Sequence, residues 1–479
     1  MSAPGYWVSR LVFLRAMGLI YLVAFVVAAN QFRPLLGRRG MLPVPAFVKR
    51  VSFRTAPSVF HVHYSDRFFS AVAWTGAGLA LVSVSSVADH APAAASMAVW
   101  FVMWTLYLSI VNVGQTWYSF GWETLLLEAG FLAIFVGPAA FAPPALVLVL
   151  IRWLVFRVEF GAGMIKMRGD SCWRDLTCLI YHHETQPMPG PWSWWFHRLP
   201  VRLHKAEAFG NHIAQLVLPF LLFTPQPVAG VAAAGIIVTQ LWLMISGNFS
   251  WLNAVTIALA LPALGDGILG RLIPVSPPDR LPAAPAWHHV LVVGLTGLAV
   301  ALSIRPVLNL VSSRQVMNTT FDPLRLVNTY GAFGSITRIR REVIVEGTSD
   351  DAVTSATEWR EYEFKGKPGD PMRRPRQFAP YHLRLDWLMW FIPLSPRYGH
   401  SWFVPFLERL LRNDRDTIKL LRVNPFADAP PTFVRARLFR YRYTTRAERS
   451  ATGAWWHRES VGTLVNPMRL MGHPFEDDE

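Results

Sequence analysis

Charge is the first thing this sequence is short of. Only 16% of its 479 residues are Asp, Glu, Lys or Arg, against about 25% in ordinary soluble proteins. With 52% hydrophobic residues, that shortage excludes a conventional soluble domain and points to a membrane protein. Acidic residues are scarcer than basic ones: 31 Asp+Glu against 46 Lys+Arg, a net charge of +15. In a membrane protein such a surplus reads first as attraction to anionic lipid and as a topology signal. No nucleic-acid-binding motif is present, so membrane lipid, not nucleic acid, is the expected partner. The two cysteines, Cys172 and Cys178, are too few for a disulfide framework and form no Cys-x-x-Cys motif. They are expected to be structural or idle thiols, with one loop disulfide as the alternative. The chain has no Walker loop, no Rossmann fingerprint and no Gly-x-Ser-x-Gly elbow. No hydrolase or nucleotide-binding enzyme is therefore expected, and no cofactor.

What is present is a series of apolar runs. Residues 11–29 are almost unbroken and span roughly 28 Å as a helix, close to the hydrocarbon thickness. Similar runs recur at 68–88, 97–113, 122–136, 145–160, 207–223, 229–246, 249–264 and 287–305, which predicts about nine spans. A basic loop at 30–67 follows the first run. After residue 310 the composition changes: 311–479 hold 26 of the Lys+Arg and 20 of the Asp+Glu. Alternation at 341–346, turn residues at 347–351 and a second run at 358–364 predict an antiparallel pair. Helices are expected at 402–412 and 416–423, a strand at 432–443, and a loose acidic tail at 475–479. The predicted fold is mainly α: a polytopic transmembrane helical bundle over 1–310, then a soluble α+β C-terminal domain with an antiparallel sheet over 311–479. An odd span count puts the 30–67 loop, the 161–206 loop and the C-terminal domain on one face. The two loops carry 13 basic residues, which by the positive-inside rule turns that face to the cytoplasm.

The organising stretch is 151–205. Charge within its apolar first part is costly and needs partners or a purpose. Glu123, Glu128, Arg152, Arg157 and Glu159 form a candidate intramembrane polar centre. The fourth and fifth spans are joined by a short link, so Glu–Arg pairs across that seam are geometrically easy. Arg152 and Glu159 are seven apart and share a helix face. A structural ion-pair network is the favoured reading, with a ligand-binding or acid/base centre as the alternative. A loop platform at 161–206 follows, with Lys166, Arg168, Asp170, Trp173, Arg174, His182, His183 and Glu184. Its 173–180 part is expected as an interfacial amphipathic helix, and the rigid Pro187–Trp195 turn with its three tryptophans as an interfacial aromatic belt, with a partner-binding ridge as the alternative. The His182-His183-Glu184 triplet lacks the His-Glu-x-x-His zinc spacing. His197, His204 and His212 converge with it only through folding, so no metal is expected. Asn248, Ser250 and Asn253 are expected to bond between helices.

RVEFGAGMIKMRGDSCWRDLTCLIYHHETQPMPGPWSWWFHRLP resembles the signature region of the lipase maturation factor family. So do GQTWYSFGWETLLLEAGFLAIF (114–135), GNFSWLNAVTIALALPALGD (247–266), NTYGAFGSITRIRREVIVEGTSD (328–350) and NPFADAPPTFVRARLFRYRY (424–443). Several ordered blocks are more specific than any one. The resemblance implies a multi-pass, non-catalytic folding and assembly factor whose C-terminal domain engages a client lipase or related secreted hydrolase. Trp359, Tyr362, Arg384 and Trp387 are the candidate client contacts. It also implies that the basic face looks into the endoplasmic reticulum lumen in eukaryotic members, the reverse of the charge rule. The Ala-, Val- and Arg-rich composition suggests a bacterial member in the cell membrane. The alternative is an intramembrane enzyme using a lipid-soluble cofactor, which needs a deep pocket where Glu123, Arg152, Arg157 and Lys166 converge.

Overall fold

The computed structural model describes residues 2–470; the expected acidic tail lies outside the described residues. The apolar runs become helices: α1 (Trp7–Leu36), α2 (Asp66–Val84), α3 (Ala93–Val113), α4 (Gly121–Ala133), α5 (Ala145–Arg168), α6 (Leu179–Thr185), α7 (Val201–Leu216), α8 (Val228–Ser246), α9 (Leu252–Leu264), α10 (Asp266–Leu272) and α11 (Ala286–Val311). Shorter turns of helix lie between them. Among the described residues, five helices are long and apolar enough to cross a membrane: α1 with its first turn, α2, α3, α8 and α11. The bent pair α9–α10 makes a sixth if counted as one span.

The nine expected runs therefore do not become nine uniform spans. The fourth run yields a 13-residue helix, about 20 Å long and short of the hydrocarbon core. The fifth yields a 24-residue helix interrupted by Arg152, Arg157 and Glu159. The 207–223 run breaks near Val217 into α7 and one further turn. Gly265, at φ +73°, makes the 113° bend between α9 and α10; an L side chain is strained in that conformation. Gly130 serves contact instead. A Cβ there would lie 1.9 Å from the Tyr21 hydroxyl, so only glycine lets α4 lie against α1.

Beyond α11 the chain runs without helix or strand to β1 (Arg340–Thr348). It continues through β2 (Arg360–Glu361), β3 (Glu363–Phe364), α12 (Arg384–Met389), α13 (Phe403–Leu411), β4 (Leu421–Val423), β5 (Phe433–Tyr443) and β6 (Trp456–Met468). One antiparallel sheet has the order β2-β1-β5-β6, with Val343 opposite Leu438, and β3 pairs with β4 in a smaller sheet. The expected helix at 416–423 is one turn (Arg415–Ile418) followed by strand β4. β6, which carries Gly462 and Pro467 in a charged stretch, had no strand signal. It forms because β5 offers it a full edge, with irregular register at three points.

One apolar core runs through both parts. Trp117 before α4 packs on Trp402 before α13, with ring centroids 5.1 Å apart. β1 is buried on both faces apart from Arg341, as expected of a strand covered on two sides.

Candidate functional site: an ion-paired seam and the cavity beside it

The seam begins at Glu123 in the first turn of α4. Its carboxylate is fully buried. It accepts a hydrogen bond from the Tyr107 hydroxyl of α3, and from Arg384 of α12 at 2.7 Å. Arg384 also donates to the Trp117 carbonyl at 2.6 Å, and its guanidinium lies 3.4 Å from the Tyr118 ring centroid. Its backbone N–H donates to Gln31 Oε1 at 3.1 Å, and Gln31 Nε2 donates to the His382 carbonyl at 2.7 Å. The C-terminal part is thus bolted to α1, α3 and α4 at one point.

Glu128, five residues on, pairs with Arg157 of α5, the expected bond across the α4–α5 seam. The C-terminal part completes it. Asn328 donates from its backbone N and its Nδ2, each at 3.0 Å, and Tyr330 donates its hydroxyl at 2.7 Å. Arg157 returns a bond to the Asn328 carbonyl at 2.7 Å. Removing one partner of such a buried pair costs several kcal/mol (about 3–5), because it leaves the other charge uncompensated.

The other members of the expected polar centre go elsewhere. Among the described residues Arg152 has no carboxylate partner: it donates to the Leu222 carbonyl at 3.1 Å and the Tyr6 hydroxyl at 3.0 Å. Sharing a helix face does not bring it to Glu159. Glu159 can only accept, so Gln240 of α8 turns its amide N–H toward it at 2.6 Å. The Gln240 carbonyl then faces Asn253 of α9, which must donate, at 2.6 Å. This realises the bond between helices expected of Asn253. Lys166 donates to Asn211 Oδ1 at 2.7 Å and Gln215 Oε1 at 2.8 Å, with its ammonium 4.6 Å from the Trp173 ring centroid.

Glu159 and Lys166 line a cavity of about 1040 Å³ between α5, α7, α8 and α9, roofed by 330–335 and α12. Its wall is mostly apolar, with Val158, Phe249 and Leu252 among the lining side chains. Glu123, Arg152 and Arg157 do not line it, so the four-residue convergence expected of an intramembrane enzyme is not formed. Lys166 alone of that set reaches it.

The loop platform is packed under the sheet rather than dipped in lipid. Trp173 is buried and donates its indole N–H to the Phe333 carbonyl at 2.7 Å. Cys172 and Cys178, expected as idle thiols, are joined in a disulfide and share a small core with Leu179 and Ile336. That core replaces the expected interfacial helix. Asp170 caps Ser171–Arg174 and takes two bonds from Arg338, at 2.7 and 2.9 Å, which hold its carboxyl well below the usual range. Arg168 donates to the Leu310 carbonyl and to Gln315 at 2.9 and 2.7 Å, and Arg174 to the Met167 carbonyl at 2.7 Å. In the tryptophan turn Trp192 stays exposed, but Trp194 is buried and donates to the Thr444 carbonyl at 3.0 Å, and Arg449 lies 3.6 Å from the Trp455 ring centroid beside it. Trp194 and Trp195 thus meet the C-terminal domain and not the aromatic belt of a membrane. Asn248 likewise bonds to 376–379 rather than between helices.

Of the triplet, His182 is buried between Phe249 and Phe333, and burial pushes its pKa down to about 3. His183 faces Glu207 of α7 at 3.3 Å. Glu184 accepts the Tyr443 backbone N–H at 2.9 Å and stands 3.3 Å from His197. Burial raises the carboxyl and lowers the imidazole to about 4. Arg340 of β1 clamps this stretch, donating to the carbonyls of Glu184, Gln186 and Pro187 at 2.8, 2.6 and 3.1 Å.

The expected client contacts are mostly inside. Tyr362, Arg384 and Trp387 are buried, and Trp359 is half-covered by the Arg435 guanidinium at 3.9 Å. Arg384 and Trp387 were recruited by the seam, the aromatic packing against Trp122 included.

Comparisons with known proteins cover both parts. The family model described as "Lipase maturation factor transmembrane domain" matches residues 8–271, and that described as "Lipase maturation factor C-terminal domain" matches 326–466. The chain is 42% identical to lipase maturation factor 1 of Bos taurus, over 98% of this chain and 90% of that protein. It is 41% identical to the Homo sapiens counterpart, over 97% and 88%. Lipase maturation factor 2 of Gallus gallus is 27% identical, over 98% and 82%. No solved structure matches.

Proposed function

The chain belongs to the lipase maturation factor family and is an integral, multi-pass membrane protein, and from that premise we propose that it assists the folding or assembly of a secreted lipase or related hydrolase. It acts as a maturation factor and contributes binding, not chemistry. Residues 1–310 form the membrane platform and 311–479 the client-facing part. One observation carries the client side of this reading. β6 is the outer strand of its sheet, 13 residues long, with 459–463 exposed. An open strand edge is a template for pairing with an extended segment of another chain. Charging that edge with Val461→Lys and Thr463→Lys is expected to lower the activity of a co-expressed secreted lipase while this chain stays at its normal membrane level. Unchanged lipase activity would count against it.

The Cys172–Cys178 disulfide lies in the loop on which the sheet sits, and disulfides persist on oxidising faces. The sheet therefore faces away from the cytosol, into the reticulum lumen or, in a bacterium, outside the cell membrane. The charge rule points the other way, with Arg38, Arg39, Lys49, Arg50 and Arg54 of the 30–67 loop all exposed, and the disulfide is what opposes it. Labelling an added cysteine at the exposed Ser355 (Ser355→Cys) with an impermeant maleimide from outside intact cells or spheroplasts tests the orientation; labelling only after the inner face is opened would reverse it.

The cavity favours a second reading in which a lipid-soluble ligand sits between Glu159 and Lys166. Native mass spectrometry of the detergent-purified chain, with Lys166→Met as control, would show a co-purified apolar ligand lost in the variant.

A further inference from the structure

Three side chains with metal-binding atoms meet at the edge of the cavity, which two of them line. His183 is carried by α6. His204 and Glu207 stand three apart on α7, on one face of that helix. His183 Nε2 is 3.3 Å from Glu207 Oε2, and His204 Nδ1 is 3.8 Å from it. One atom from each of the three lies within 4.8 Å of the others. Four ligands around a tetrahedral zinc, with bonds of about 2.0–2.2 Å, are spaced roughly 3.3–3.5 Å apart. Closing this trio onto a cation needs the longest separation, at most 4.8 Å, to shorten by up to about 1.5 Å.

The local chemistry leaves these atoms free for such a role. Both imidazoles are buried, His183 at 1% and His204 at 2% exposure. His204 Nδ1 has no hydrogen-bond partner, and 3.8 Å is too long for one to the carboxylate. A buried acceptor or donor left unmade is unfavourable. Glu207 spends its other oxygen, Oε1, on the indole N–H of Trp242 at 2.7 Å. That bond fixes the carboxylate plane and leaves Oε2 pointing to the two histidines, as an outer hydrogen bond does at a metal centre. Two imidazoles and one carboxylate form a donor set that suits zinc. Three protein ligands leave one tetrahedral position open, and His183 and Glu207 both line the cavity.

We propose that His183, His204 and Glu207 form a binding site for a zinc-class divalent cation whose fourth position opens to the cavity. The cation ties α6, and with it the loop platform, to α7. This inference stands on the geometry of the three residues and not on the client reading, so each can fail alone.

The test uses the full chain, purified in detergent through a tag without histidines, stripped with chelator and dialysed against Zn²⁺ or Co²⁺. We expect about one zinc per chain by elemental analysis, the visible absorption of tetrahedral Co²⁺, and a rise in unfolding temperature on adding Zn²⁺ that chelator reverses. His183→Gln, His204→Gln and Glu207→Gln should each lower the bound metal at least tenfold, while His212→Ala keeps it. Should the variants fail to fold, the wild-type titration still decides. A wild-type chain that holds no zinc, gives no Co²⁺ band and shows no shift overturns the site, and the trio is then a hydrogen-bonded cluster. Metal retained at the wild-type level by a well-folded His204→Gln also overturns it.

Discussion

The seam and the cavity wall are built from the same residue types and answer their charges differently. In the seam, Glu123 and Glu128 each meet a guanidinium, Arg384 and Arg157, with the remaining lone pairs taken by Tyr107, Asn328 and Tyr330. On the cavity wall, Glu159 and Lys166 are met by neutral amides, Gln240, Asn211 and Gln215. A guanidinium–carboxylate pair neutralises its own charge, even though Arg157 Nε and Arg384 Nε and Nη2 make no hydrogen bond among the described residues. An amide relay solvates a charge without neutralising it, so the charge stays available to an incoming group. The difference teaches that the seam joins two parts of the chain, while the wall faces a space made to be filled.

Breaking the seam should have the largest effect. Glu128→Ala leaves Arg157 buried without its counter-charge and is expected to cost about 3–5 kcal/mol, read as loss of the thermal transition in detergent or of the protein from membranes. Arg384→Met should do nearly as much by orphaning Glu123, with the double change Glu123→Leu/Arg384→Met recovering part of the loss. A double variant no better than Arg384→Met would show that the seam is not a paired unit.

Acid should weaken the platform next. His182 is held neutral by burial, with its pKa pushed down from 6.5 to about 3. Its folded form binds fewer protons than the unfolded chain between those values, so its contribution is full above pH 6.5 and is lost as pH falls toward 3. Glu184, raised by burial, works the other way, favouring the fold at low pH and losing that contribution as pH climbs past 4.5. Unfolding temperature measured from pH 7 down to pH 4 should therefore fall in the wild type and fall less steeply in His182→Phe. Parallel slopes would remove His182 as the cause.

The wall should be the least sensitive. Glu159→Gln exchanges one hydrogen-bonded group for another and is expected to change stability by about 1 kcal/mol or less. A loss as large as that of Glu128→Ala would erase the contrast between the two regions.

The parts visible in the sequence were those set by neighbours in the chain. The apolar runs marked the helices, and the short link at 137–144 marked α4 and α5 as adjacent, which made Glu128–Arg157 readable. The β pattern at 341–346 and 432–443 marked the central strands. The spacing of His204 and Glu207, three apart on a helix, was a signal that went unused because His183 lies on a different element. Arg384 offered no signal at all. It stands 261 residues from Glu123 and looks like a surface residue on a short amphipathic helix.

What the sequence determined by itself was where apolar surface must be hidden and which charges within it could not stand alone, because the cost of burial depends on composition and local periodicity. Only the tertiary structure decided which partner answers each charge. It also decided that the platform is roofed by the sheet rather than by lipid, and that a cavity remains beside a seam with no room to spare. Those outcomes depend on contacts between residues hundreds of positions apart, where many partners are chemically equivalent and packing alone chooses among them.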